Sequence, residues 1–163
     1  MKKFELTNEF ITNMFGTKLF RIRALVEFGD VEAGELGGYV EKESNLGHDD
    51  NAWVYDNAWV YGNALVCGDA RVCGNGDYAY AHGFGSVNRT TTFFRLKDGG
   101  VGVRCGCFYG TLAQFRDKIR ETHGESAIAE EYLDLAALME KRFRRTGTED
   151  RRRKLRRMFI TQN

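Results

Sequence analysis

The chain has 163 residues and a formal net charge of +1 at pH 7. No apolar run approaches the roughly 20 residues that a membrane span requires, and the N-terminus lacks the apolar stretch of a signal peptide. We therefore expect a cytoplasmic protein with no membrane partner. Its four cysteines match no zinc-site spacing, and we expect neither a metal nor a cofactor.

Residues 3–26 are predicted to form strands. Residues 19–25 alternate apolar and basic side chains, as a half-buried strand does. We expect this segment to cap the repeat that follows, because the end of a repeat array exposes apolar surface and unpaired backbone.

Four six-residue units occupy residues 51–74, with the sequences NAWVYD, NAWVYG, NALVCG and DARVCG. Each unit contains Ala-x-Val, and residues two apart on a strand point to the same face, so these side chains are predicted to point inward. The Gly, Asn and Asp residues between units tolerate the backbone angles of a corner. A strict period of six predicts a β-solenoid, in which each unit is one short strand and one corner.

The repeat resembles the hexapeptide-repeat, left-handed β-helix family, in which three units close one triangular coil. The fold class expected for the whole chain is mainly β with α, namely a short left-handed β-helix followed by a small ββαα unit. We predict two domains. Residues 1–88 would hold the cap strands and the solenoid, and residues 89–163 a β-hairpin, two helices and a basic tail.

In such a coil, residues 18 apart stack on one outer face. Trp53 is then predicted to lie over Arg71, and Tyr55, Trp59 and Tyr61 are predicted to point away from the core as well. Large outward aromatics are either covered by another surface or bind something. Two interpretations stay open: docking of the C-terminal unit or a second subunit, and a stacking surface for a base, a sugar or a partner side chain.

The C-terminal unit is predicted from patterns of its own. Residues 90–96 and 101–108 favour strands, and the turn signal at 97–100 joins them as a hairpin. Helices are predicted from about 112 to 122 and from about 127 to 145.

The ends of the first helix carry capping signals. Thr111 and Gln114 have the spacing of a capping box, and Gly124 is a stop signal. The inward-facing stripes of the two helices are predicted to contain Leu112, Phe115, Ile119, Ile128, Tyr132, Leu135, Leu138 and Met139.

Charge is distributed unevenly along the chain. Residues 141–157 carry ten Lys and Arg against two acidic residues, whereas residues 27–50 carry eight acidic residues against one Lys. The basic tail is interpreted either as a solvated face or as a contact for nucleic acid or another polyanion. The candidate binding residues of the tail are Arg151, Arg152, Arg153 and Arg156.

No catalytic constellation is convincing, since the sequence has no phosphate-binding loop motif and no recognisable nucleophile–base pair. Enzymes of the hexapeptide fold are mostly acyltransferases that use a histidine as general base, and that resemblance makes His82 the candidate base. An acyltransferase is therefore the runner-up function. The leading expectation is that the chain is not an enzyme.

A wider resemblance covers most of the chain. Residues 19–25, residues 36–46, the repeat and residues 104–115 look like repeat proteins that are common in bacteriophage and prophage genomes. That resemblance implies a phage-encoded, non-enzymatic binding protein that inhibits bacterial defence. Inhibition would occur by blocking a defence complex such as CRISPR-Cas or by sequestering a nucleotide signal.

Aromatic stacking combined with arginine contacts is how nucleotides and single strands are commonly held. The expected partners are accordingly a host defence protein or a nucleotide or nucleic-acid ligand. A third function class stays open, a structural or oligomerisation module with the aromatics buried between subunits. A homodimer or homotrimer is expected in every case, because solenoid ends and aromatic faces need cover.

Overall fold

The computed structural model describes residues 1–86 and 89–160, apart from the side chains of residues 148–151. In chain order the strands are β1 (Phe4–Thr12), β2 (Lys18–Ala24), β3 (Leu36–Val40), β4 (Trp53–Val54), β5 (Trp59–Val60), β6 (Arg71–Val72), β7 (Tyr78–Phe84), β8 (Arg89–Arg95), β9 (Val101–Cys105) and β10 (Phe108–Thr111). Two helices follow, α1 (Leu112–His123) and α2 (Ala127–Ile160).

The N-terminal strands form a mixed four-stranded sheet in the order β1-β2-β3-β5. Strands β1, β2 and β3 are antiparallel, and β3 pairs with β5 in parallel. The alternation in residues 19–25 has the predicted effect, because Leu19, Ile22 and Ala24 are buried while Arg21 and Arg23 are not. The prediction of N-terminal strands is confirmed.

The prediction of a left-handed β-helix is wrong. Within the described residues the strands form three small sheets, and none of these sheets is solenoid-like. Strands β4 and β6 pair only with each other, whereas β5 joins the N-terminal sheet. Trp53 pairs with Arg71, which belongs to the same uninterrupted repeat. Trp59 instead pairs with Tyr39, on the far side of residues 42–51, which interrupt the six-residue period.

The repeat still determines which side chains are buried. All its Ala-x-Val side chains lie in the first hydrophobic core: Ala52, Val54, Ala58, Val60, Ala64, Val66, Ala70 and Val72. The inward orientation predicted from the two-residue spacing is therefore confirmed, although the chain does not close regular coils around it.

Trp53 lies between the inward-pointing Ala52 and Val54, on the opposite face of the strand, and it is covered there, so it is not available to a ligand. Its side chain is 0% exposed. The Phe28 ring centroid lies 5.3 Å from that of Trp53, and the Phe4 ring centroid lies 6.3 Å away. The N-terminal segment covers this face of the repeat because it carries these apolar rings.

The second sheet is an antiparallel meander in the order β10-β9-β8-β7. It contains the predicted hairpin as β8 and β9, together with two strands that the sequence reading missed. Strand β8 is buried on both faces. Phe94 faces the core formed by the repeat, and Phe93 faces a second core formed with the helices.

Helix α1 has the predicted ends. Thr111 Oγ1 accepts a hydrogen bond from the Gln114 backbone N–H, and the Gln114 side chain accepts one from the Thr111 backbone N–H, which completes the capping box. Gly124 follows with φ of 58°, in the left-handed region that suits glycine. The predicted start and approximate end of α1 are confirmed.

Helix α2 starts at the predicted residue and continues well past residue 145, as far as Ile160. Tyr132, Leu135 and Met139 are buried as predicted. Ile128 and Leu138 are exposed, so their assignment to the buried stripe is wrong. Both helices pack on the β8–β9 hairpin around the second core, which confirms the predicted ββαα packing. The proposed domain boundary at residue 88 lies outside the described residues and stays a prediction.

Candidate functional site

One cleft brings together Tyr55 and Arg71, two of the residues predicted to bind a ligand. The Tyr55 backbone N–H donates to the Val72 carbonyl oxygen over 2.7 Å, which fixes the residue after β4 beside β6. Arg71 in β6 then lies over the Tyr55 ring, with 4.9 Å between the guanidinium carbon and the ring centroid. This cavity of about 400 Å³ is called the Tyr55 cleft below.

Four further charged residues line the cleft: Asp30, Asp69, Lys97 and Asp98. The Lys97 backbone N–H donates to the Asp69 carbonyl oxygen over 3.0 Å, so the turn after β8 lies against the repeat. The Lys97 ammonium is 2.9 Å from an Asp30 carboxylate oxygen, and an Arg71 guanidinium nitrogen is 4.0 Å from the same oxygen. The hydrogen bond from Lys97 lowers the pKa of the Asp30 carboxyl below its usual value. Asp30 therefore holds both cations at the mouth of the cleft.

Local contacts also set the acid–base state of Tyr55 and Arg71. Burial raises the pKa of the Tyr55 phenol, and the Arg71 charge opposes this rise only in part. A hydrogen bond with the Cys73 side chain raises the pKa of Arg71. At neutral pH the cleft thus presents a neutral aromatic ring beside a permanent positive charge.

A second cavity, of about 350 Å³, shares Arg71, Leu96 and Lys97 with the Tyr55 cleft, and its lining includes four cations. We call it the basic chamber. Its charged residues are Arg71, Asp77, Arg95, Lys97 and Lys154. Four cations against one carboxylate give this chamber an excess of positive charge, and Lys154 comes from the basic part of α2.

Arg95 links the basic chamber to the helices. Its guanidinium donates to the Phe143 carbonyl oxygen over 2.8 Å and to the Thr146 hydroxyl over 3.1 Å, and it pairs with Asp77 at 3.4 Å. These bonds orient Arg95 in advance of any ligand. The side-by-side arrangement of a tyrosine, an arginine and a cationic chamber can hold a flat ring at one end and an anionic group at the other.

Trp59 and Tyr61 lie in a different place, a groove of about 390 Å³ that we call the aromatic groove. Its principal lining residues are Trp59, Tyr61, Tyr78, Tyr80 and Arg142. The Tyr61 ring meets those of Tyr78 and Tyr80 edge to face, with 6.5 Å between centroids in both pairs. Burial raises the pKa of Tyr78, so its phenol stays protonated at neutral pH.

Arg142 is the cation that lines the aromatic groove. One Arg142 guanidinium nitrogen donates to the Tyr78 carbonyl oxygen over 3.4 Å, and the Nε of Arg142 is buried with no hydrogen-bond partner among the described residues. Most of the lining is aromatic, and the tyrosine rings already pack on one another. The groove therefore offers ring contacts and one cation, whereas Arg71 and Lys97 of the Tyr55 cleft also line the basic chamber, where four cations face one carboxylate.

The structure thus separates the predicted binding residues. Trp53 lies in the core and reaches neither cavity, because Phe4 and Phe28 cover it. The tail residues Arg152, Arg153 and Arg156 are exposed on α2. The side chain of Arg151 lies outside the described residues.

His82 is exposed on β7, and its Nδ1 is 2.7 Å from the Thr90 hydroxyl oxygen. The described residues place no carboxylate within hydrogen-bond distance of its ring. The acyltransferase alternative rested on the hexapeptide fold, which this chain does not have. That His82 acts as a general base stays a prediction.

The described residues offer no metal site, disulfide or membrane-spanning helix. Among the described residues, no three or more His, Cys, Asp or Glu side chains form a group that could hold a metal ion. The cysteines at positions 67, 73, 105 and 107 are all free. No helix in the described part of the chain combines the length and apolarity that crossing a membrane requires.

Sequence reasoning missed three residues of the Tyr55 cleft and the basic chamber: Asp30, Arg95 and Lys97. Lys97 belonged to a segment interpreted only as a turn, and Arg95 to a strand. No local signal marks Asp30, because its role comes from a contact across more than sixty residues of sequence. Lys154 did lie in the basic run that the charge distribution had singled out.

Comparison with known proteins adds no assignment. No family model matches the chain, and no curated protein is significantly similar to it. Together with the three separate sheets, this corrects the membership suggested by the repeat. The chain is not assigned to the hexapeptide-repeat family or to the phage repeat proteins that it resembled.

Proposed function

We propose that the protein is a non-enzymatic binding protein for a nucleotide, held in the Tyr55 cleft with its phosphates in the basic chamber. The base would contact the exposed part of Tyr55 and the Arg71 guanidinium plane. The phosphates would lie among Arg71, Lys97 and Lys154. Sequestration of a nucleotide signal, one of the two inhibitory modes expected from the sequence, is the role that this arrangement suits.

The observation that carries the proposal is that the two cavities share Arg71 and Lys97. A ligand that spans these two residues would contact an aromatic ring and several cations at once. Bases stack on aromatic and guanidinium planes, and phosphates form charge-assisted hydrogen bonds with Arg and Lys. Asp30, Asp69 and Asp98 also line the Tyr55 cleft, and their carboxylates disfavour a ligand that is anionic throughout.

The biological role and the cellular location of the protein do not follow from the binding site. Inhibition of bacterial defence and location in a host cytoplasm were implied by the phage resemblance, and both stay predictions. A protein that only sequesters a ligand needs no general base, so the proposal assigns no catalytic residue.

Calorimetric titration with ATP tests the proposal. We expect one ATP to bind per chain, with an affinity that falls as salt concentration rises. Arg71→Ala should weaken binding about tenfold or more, because a hydrogen bond to a charged group contributes about 1.5–3 kcal/mol.

Arg120→Ala is the matched control, since Arg120 is an exposed arginine on α1 outside both cavities and pairs with Asp117 at 3.8 Å. The proposal requires this variant to bind ATP as the wild type does. Equal affinities of the two alanine variants, or no heat of binding at all, would overturn it.

A further inference from the structure

The last turns of α2 present an unusual mixture of side chains to solvent. Arg152, Leu155, Arg156 and Phe159 have the i, i+3, i+4, i+7 spacing that places residues on one face of a helix. Leu155 is 54% exposed and Phe159 is 70% exposed. We call this face the tail stripe. Apolar side chains alternating with arginines on an open helix face are typical of a surface that binds a partner.

A second surface has the opposite charge and apolar residues of its own. The connection between β2 and β3, residues 25–36, contains four acidic residues and no Lys, Arg or His. Glu27, Glu32 and Glu35 are exposed, and the Glu35 carboxylate accepts a hydrogen bond from the Glu32 backbone N–H over 3.0 Å. We call this connection the acidic loop.

The ends of the acidic loop are apolar and open to solvent. Leu25 is 41% exposed and Leu36 is 50% exposed. The loop therefore offers the same combination as the tail stripe, two exposed apolar side chains beside like charges, but with the charge reversed.

We propose that the tail stripe of one chain docks on the acidic loop of a second copy of this chain. Leu155 and Phe159 would cover Leu25 and Leu36, while Arg152 and Arg156 would pair with Glu32 and Glu35. A two-fold axis lets each copy give one tail and receive the other, so the contact forms twice and the assembly closes as a dimer.

The occupant is a second copy rather than the same chain because of the helix geometry. Helix α2 is continuous over 34 residues, which is about 51 Å at 1.5 Å per residue. Residues 152–160 are all exposed, so the tail does not lie on the acidic loop of its own chain. Bending it back would break the helix.

Charge reversal in two separate variants tests the docking. One variant carries Arg152→Glu with Arg156→Glu, and the other carries Glu32→Arg with Glu35→Arg. Sedimentation velocity should find the wild type as a dimer at low salt, with association weakened at high salt. Each reversal variant alone should be a monomer, because like charges then face each other.

Mixing the two reversal variants gives the decisive result. In the mixed pair the reversed tail of one variant meets the reversed loop of the other, and the second contact joins a native tail to a native loop. Both contacts are then attractive, and a 1:1 heterodimer should form. Circular dichroism of each variant checks that the fold is retained. The proposal is overturned if the wild type is monomeric at every concentration tested, if either variant stays dimeric, or if the mixture stays monomeric.

A labelled single-stranded oligonucleotide serves as the competing probe. If a monomeric wild type binds it and the tail variant does not, the tail stripe is a nucleic-acid contact and the docking proposal fails. This outcome is independent of the Tyr55 cleft, because the stripe residues do not line that cleft or the basic chamber.

Discussion

The Arg71 guanidinium carbon lies 4.9 Å from the centroid of the Tyr55 ring. Its position is fixed from both sides, since β6 pairs with β4 beneath it and the Asp30 carboxylate lies 4.0 Å from one of its nitrogens. A ligand that enters the Tyr55 cleft would meet a ring and a cation already in contact, so little side-chain ordering would be needed on binding.

Asp30 should limit the affinity of this cleft for anions. It pairs with both Lys97 and Arg71, and a phosphate group would have to compete with it. Asp30→Asn should therefore strengthen ATP binding, by a small factor because the pair is exposed to solvent. Calorimetric titration measures the change.

The control for Asp30 is Glu125→Gln, at an exposed carboxylate in the turn between the helices. It changes the net charge of the protein equally but lies outside both cavities. An equal gain in affinity from the two variants would show a general charge effect and would contradict a specific role for Asp30.

The two tryptophans should differ sharply in their effect on stability. Trp53 is fully buried between Phe4 and Phe28, whereas Trp59 is half-buried at the aromatic groove. Trp53→Ala should lower the free energy of unfolding by about 3–5 kcal/mol, because it leaves a cavity in the core. Trp59→Ala should cost clearly less.

Urea unfolding of the two variants, followed by circular dichroism, gives both values. Trp53→Ala and Trp59→Ala should also bind ATP as the wild type does if they are folded under the assay conditions. Equal losses of stability would mean that the burial of Trp53 is not what the structure describes.

Lys3 should make stability depend on alkaline pH. Its ammonium is buried and donates to the Ala52 carbonyl oxygen over 2.7 Å, and burial lowers its pKa despite a pairing with Asp50 at 3.2 Å. Between the lowered pKa and 10.5 the unfolded chain binds more protons than the folded one. The contribution of Lys3 to the free energy of unfolding should therefore increase with pH from the lowered pKa up to 10.5.

Comparison with variants isolates the Lys3 component. Lys3→Met should remove the rise, whereas Lys2→Met should keep it, because the Lys2 side chain is exposed and makes a surface ion pair with Glu43 at 3.5 Å. The ionisation of tyrosines is shared by all three proteins and cancels in the differences. Parallel pH profiles for wild type and Lys3→Met would contradict the assignment.

The four cysteines should react in two classes. Cys107 and Cys73 are exposed, whereas Cys67 and Cys105 are buried. Burial raises the pKa of the Cys67 thiol to about 11, which leaves little of the reactive thiolate at neutral pH. Iodoacetamide should therefore label two sites in the folded protein and four after denaturation.

Intact-mass spectrometry counts the labelled cysteines. Cys107→Ser should lower the count in the folded protein by one, and Cys67→Ser should not change it. Labelling of Cys67 as fast as Cys107 would show that the first core opens at that position.

Local patterns predicted the local structure well. The capping box at Thr111, the stop at Gly124 and the buried Ala-x-Val side chains all follow from interactions within a few residues of sequence. These features depend on backbone geometry and on side-chain periodicity, which a sequence shows directly.

The architecture was harder to predict because it depends on which strands pair. The six-residue repeat fits coils that stack on one another, but the N-terminal hairpin takes β5 into its own sheet. The same segment brings Phe4 and Phe28 over Trp53. A repeat reveals nothing about a competing strand elsewhere in the chain, so the cover that makes Trp53 unavailable to a ligand could not be predicted from it.

The candidate site was predictable only in part. Tyr55 and Arg71 follow from the spacing of the repeat, whereas Asp30 and Lys97 reach the cleft through loops that are distant in sequence. The length of α2 also escaped prediction, because residues 146–150 lack an apolar stripe that would mark a helix.

The central claim is that the Tyr55 cleft and the basic chamber form one nucleotide site. The most direct test is a titration of ¹⁵N-labelled protein with ATP, followed by two-dimensional NMR. The account predicts saturable shifts of the backbone amides of Tyr55, Arg71 and Lys97, with those of Trp59 and Tyr61 unchanged. Shifts confined to Trp59, Tyr61 and Tyr80, or no shifts with excess ATP, would contradict it.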